Sequence, residues 1–73
     1  MRLSHRFKYY VCSMENEYMV TCFVFRVKTK KDLIEKIQRQ EIYGWYFDSI
    51  TPIREIDTYE VQSLLNVGAH YVR

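Results

Sequence analysis

Residues 7–13 read FKYYVCS, residues 14–17 MENE and residues 18–27 YMVTCFVFRV. Aromatic and β-branched residues crowd both arms, which is the composition of strands, and the polar MENE between them reads as a turn. A sheet with one face in water alternates apolar and polar residues along each strand. The second arm does not alternate, because Val20, Cys22 and Val24 are as apolar as Met19, Phe23 and Phe25. A hairpin apolar on both sides needs something to cover its second side.

The turn sets which residues of the two arms share a face. Asn tolerates the left-handed backbone better than other non-glycine residues, and a three-residue hairpin loop needs such a residue in last place. That places Met14-Glu15-Asn16 in the loop, Ser13 opposite Glu17, Val11 opposite Met19 and Phe7 opposite Phe23. The expected core face is then Leu3, Phe7, Tyr9, Val11, Met19, Phe23, Phe25 and Val27. The expected open face is Tyr10, Tyr18, Val20, Cys22 and Val24, rimmed by Arg6, Lys8, Arg26 and Lys28. A slip of one residue would invert every side chain of one arm.

After the hairpin, Thr29 with Asp32 three residues on resembles a capping box, and Leu33, Ile34 and Ile37 form one apolar stripe. A helix is predicted here, with Gly44 as its stop. Trp45 to Ile50 reads as a third strand. Pro52 makes it an edge strand, or one that bulges and resumes at Ile53 to Ile56. Asp57 with Glu60 repeats the cap signal ahead of Val61, Leu64 and Leu65, and Gly68 ends that second helix. His70 to Arg73 is a frayed tail or one more short strand. The expected fold is α+β: a small two-layer sandwich in β-β-α-β-α order. Its three-stranded antiparallel sheet has strand three beside strand one, and both helices lie on one face.

The 73 residues set the scale: one domain over residues 1–73, without linker or targeting segment, near the lower size limit for unaided folding. With 48% apolar residues, two glycines and one proline, the chain is not of disordered composition. No apolar run approaches the ~20 residues that span a bilayer, and MRLSHRFK lacks the apolar segment of a signal peptide. The reducing cytoplasm is the expected compartment, with Cys12 and Cys22 as free thiols. The net charge of +2 is unevenly spread, at +5 over residues 1–31 and −3 over residues 32–73.

Chemistry-bearing motifs are sparse. His5, Cys12, Cys22 and His70 have no pair at zinc-site spacing. Gly44 and Gly68 are isolated, so there is no phosphate loop, and no nucleophile has an oriented base in sight. The reading is therefore no enzyme, no cofactor and no metal. Trp45, Tyr46 and Phe47 form the densest aromatic cluster, two of them assigned to the core.

Two functions fit what remains. The favoured one is a non-catalytic protein-binding module, an inhibitor, adaptor or regulator, acting through Tyr10, Tyr18, Val20, Cys22 and Val24 with the basic rim Arg6, Lys8 and Arg26. Its partner is another protein or a second copy as a homodimer. Richness in Tyr, Ile, Lys and Phe with a single alanine fits small proteins of phages and mobile elements. The alternative is a single-stranded nucleic-acid-binding module using Lys8, Arg26, Lys28, Lys30 and Lys31 at the strand-to-helix junction. Phe23-Val24-Phe25-Arg26-Val27 followed by Lys31-Asp32-Leu33 resembles the third strand and second helix of RNA-recognition motifs over about a dozen residues. It lacks that motif's glycines, and here no helix separates the first two strands.

Overall fold

A computed structural model describes residues 7–42 and 49–73. The order is β1 (Lys8–Glu15), β2 (Val20–Val27), α1 (Lys30–Ile42), β3 (Ser49–Ile50), β4 (Arg54–Ile56), α2 (Thr58–Asn66) and β5 (His70–Val72). The fold is α+β, with a mixed sheet of five strands and two helices. The expected three-stranded antiparallel sheet is thus extended by a fourth and a fifth strand. Strand three does lie beside strand one and antiparallel to it. Leu3, Arg6, Gly44 and Trp45 to Asp48 lie outside the described residues.

The hairpin register differs from expectation. Lys8 pairs with Val27, Val11 with Val24, Ser13 with Cys22 and Glu15 with Val20, so odd residues face even ones. The reason is the turn. Asn16 opens a four-residue loop instead of closing a three-residue one. Its side-chain Oδ1 accepts the N–H groups of Tyr18 and Met19, both at 2.9 Å, and its own N–H donates to the Met19 carbonyl at 3.0 Å. Asn serves turns by this side-chain bonding as well as by left-handed backbone, and no non-glycine described residue has positive φ.

The slip splits the expected core face in two. On one side Tyr10, Cys12, Met14, Phe23, Phe25 and Val27 pack with Leu33, Ile37 and Val72. On the other, Val11 and Val24 pack with Ile56, Val61, Leu64 and Leu65. The helices therefore cover opposite faces, and the expected two layers become three. Phe23, Val24, Phe25 and Val27 are fully buried, each stabilising the fold by roughly 1.5–3 kcal/mol.

Topology explains the two-sided cover. β2, β3 and β4 run in one direction, since all are antiparallel to β1. The chain leaves β2, forms α1 and returns beyond β1. It then leaves β4, forms α2 and returns as β5 beyond β2, parallel to it. These crossovers travel in opposite directions across the sheet. Crossovers of one hand that do so place their helices on opposite faces.

The local signals hold. Thr29 Oγ1 accepts the Asp32 N–H at 3.1 Å, and Asp57 Oδ1 accepts the Glu60 N–H at 2.8 Å. At the end of α2, Gly68 donates to the Leu65 carbonyl at 3.1 Å and Ala69 to that of Leu64 at 3.0 Å. That pair of hydrogen bonds needs left-handed backbone at Gly68, where φ is +97°. Pro52 marks a bulge: between the Met14–Ile50 and Val11–Arg54 pairs, residues 51–53 oppose residues 12 and 13.

Candidate functional site

The expected open face is dismantled by the register. Tyr10 is buried on the α1 side, whereas Val24, wholly buried, and Cys22, half-buried, lie on the α2 side. Tyr18 and Val20 stay exposed, at 86% and 66%, at the hairpin's free end. Lys8 is exposed and Arg26 half-buried at the opposite end. The expected patch therefore resolves into two separate ends of the sheet and a pair of covered faces.

The hairpin end carries four exposed large apolar side chains, Tyr18, Met19, Val20 and Ile50. Val20 and Ser49 flank Glu15 from its two neighbouring strands, and Ile50 pairs with Met14. The Ser49 hydroxyl donates to Glu15 Oε1 at 3.1 Å, tying the edge strand to the hairpin. Asn16 holds the backbone of Tyr18 and Met19 by the two bonds given above, so these side chains project from a fixed loop. Glu15 and Glu17 make this end acidic. Met19 and Ile50 were not foreseen as site residues. Met19 was assigned to the core by the three-residue turn, and Ile50 to a strand whose edge position Pro52 did announce.

The other end collects the cations. β1 begins there, β2 ends there and α1 begins there, so Lys8, Arg26, Lys28, Lys30 and Lys31 converge. Arg26 lies over the Phe7 ring, its guanidinium carbon 3.4 Å from the centroid, and Lys28 Nζ lies 5.0 Å from the same centroid. Phe7 was expected in the core. Instead it is a partly exposed platform for two cations.

Two shallow recesses flank the sheet. One, about 420 Å³, lies beside the first turns of α1, with Tyr10, Leu33, Ile34 and Ile53 between Lys30 and Glu55. The other, about 250 Å³, lies at the bulge, where Arg54 and Cys22 meet Thr51 and Leu64. Arg54 is committed to Glu60, 2.7 Å away, whose carboxylate raises the arginine's pKa further by hydrogen bond and charge. Burial, with a smaller contribution from Cys22, pushes the Cys12 thiol up to about 11. It is therefore protonated near neutral pH and a poor nucleophile. The two thiols are free and belong to opposite faces of the sheet.

Among the described residues no three His, Cys, Asp or Glu side chains cluster as a metal site, and no helix is long and apolar enough to cross a membrane. No family model, curated protein or solved structure matches the chain.

Proposed function

We propose that this chain is a non-catalytic protein-binding module, an inhibitor, adaptor or regulator that engages its partner through the hairpin end. One observation carries this reading: Tyr18, 86% exposed, stands on a loop whose backbone Asn16 already clamps. A large exposed aromatic on a fixed backbone loses little freedom on binding, and tyrosine is enriched among residues that dominate interface energetics. Met19, Val20 and Ile50 around it make an apolar patch of the kind that marks association sites. Glu15 and Glu17 beside the patch favour a partner whose apolar pocket has a basic margin.

The test is a comparison of wild type with Tyr18→Ala plus Val20→Ser, in affinity capture and in sedimentation. Both substituted side chains are exposed, so the double variant should fold normally. A partner, or a dimer, that is held by wild type and lost in the double variant supports the reading. Equal capture and equal mass with folded variants would overturn it.

A further inference from the structure

We propose that a second surface, at the cationic end of the sheet on the α2 side, binds single-stranded nucleic acid. The surface comes from the register. Lys8 pairs with Val27, so Phe7 continues opposite Lys28, consistent with the 5.0 Å from Lys28 Nζ to the Phe7 ring. Val24 pairs with Tyr71 and Phe25 with Val72, so Arg73 continues beside Arg26. Side chains alternate along strands, and Val24 faces α2. Phe7, Arg26, Lys28, Tyr71 and Arg73 therefore share that face, across three neighbouring strands.

α2 leaves this corner uncovered. It starts after β4, on one flank of the sheet, and runs back toward the start of β5, on the other. Val61, Leu64 and Leu65 cover Val11, Val24 and Cys22, nearer the middle of the hairpin. Phe7 and Tyr71 are each left 37% exposed, and Lys28 and Arg73 are exposed. No acid occupies a strand position on this face from Phe7 to Val11, or on the partner strands opposite.

The chemistry fits a flexible polyanion with accessible bases. Three cations track phosphates, and two positions offer stacking, the Tyr71 ring and the guanidinium that Arg26 lays on Phe7. Arg26 is already laid on Phe7 at contact distance, so its guanidinium is held in place before any ligand arrives. From β1 to β5 is two strand spacings, about 10 Å, enough for two neighbouring stacked positions. A duplex hides its base faces, so the aromatic half of the surface would find no partner in it. Lys8, Lys30 and Lys31, nearby at the same end, extend the positive field.

Fluorescence anisotropy tests this with the full chain, a labelled oligothymidylate of about 12 nucleotides and a duplex of equal length, at about 50 and 200 mM salt. The single strand should bind with steep salt dependence, and the duplex about tenfold more weakly or worse. Arg26→Gln and Arg73→Gln should each weaken binding several-fold and lower the log–log salt slope by about 0.7. Tyr71→Ala should weaken it about fivefold or more with the slope unchanged. Val67→Ser, 80% exposed at the end of α2 and outside both surfaces, should leave it intact. Arg73 is exposed beyond the last strand, so its variant folds even if Arg26→Gln disturbs the Phe7 contact. No single-strand binding at the lower salt overturns the proposal. So does equal affinity for the duplex, and so does unchanged affinity in both arginine variants.

Discussion

Ser13 and Thr51 bond each other twice: the Thr51 N–H donates to the Ser13 carbonyl at 2.8 Å, and the Ser13 N–H donates to the Thr51 hydroxyl at 2.8 Å. The hydroxyl replaces a ladder carbonyl where the edge strand gains a residue ahead of Pro52. Thr51→Val keeps the β-branched shape and deletes the acceptor. It should destabilise by about 1 kcal/mol, while Thr51→Ser stays close to wild type. Urea denaturation midpoints at constant m would check this, with faster exchange of the Ser13 amide as the local sign.

Val20 and Val24 differ by four residues on one strand face, yet one is 66% exposed and the other wholly buried. Val20→Glu should change stability by under about 0.5 kcal/mol. Val24→Glu would place an unpaired carboxylate between β2 and α2, and its effect of about 3 kcal/mol or more would unfold much of so small a chain. Circular dichroism of the two variants separates the cases. A folded Val24→Glu protein would mean that α2 does not cover the hairpin.

The sequence made legible what local chemistry decides. Both helix starts and the Gly68 stop rest on bonds within three to five residues, and the Pro52 break on the amide hydrogen that proline lacks, so each is readable. The register was not, because Asn16 has two ways to serve a turn. It can adopt left-handed backbone at the end of a three-residue loop, or accept N–H groups through Oδ1 at the start of a four-residue one. The chain takes the second, and every face assignment on one arm inverts. The helix placement has a signal in the sequence as well. A strand apolar on both faces, such as Val20 to Val27, is the pattern of a central strand covered twice. Taken as a central strand, it requires a neighbour on each edge, and the second neighbour is the short parallel strand at His70–Val72. Tyr18 and Val20 were readable as exposed contacts. Phe7, Tyr71 and Arg73 were not grouped, because only the β2–β5 pairing brings them to one corner.

Gly68 adopts φ +97°, and a Cβ there would meet nothing within 4 Å. The strain of any substitution is therefore backbone strain alone. Gly68→Ala should destabilise by about 1 kcal/mol, and Gly68→Asn by less, since Asn tolerates this region better. Thermal melts of the two variants would check the order. If Ala were as stable as Gly, the terminus of α2 would not use the left-handed cap.

The Cys12 thiol should make stability fall in alkaline solution. Its pKa is raised from 9.0 to about 11, first by burial and then by Cys22. Above pH 9 the unfolded chain loses this proton while the folded chain keeps it, so protons bound are fewer in the unfolded state and stability declines as pH rises. The contribution is fully present below pH 9 and is lost through the window up to about 11, with a total of roughly 1–3 kcal/mol. Tyrosines and lysines titrate in the same range, so the informative quantity is a difference. Stability measured by urea titration at pH 8, 9.5 and 11 should slope downward more steeply for wild type than for Cys12→Ala, even though the variant starts lower because of its cavity. Cys22→Ala should retain most of the wild-type slope, because burial of Cys12 is the larger cause. Parallel slopes for wild type and Cys12→Ala would show that the Cys12 thiol ionises no less readily in the folded chain than in the unfolded one, contrary to its burial beneath α1.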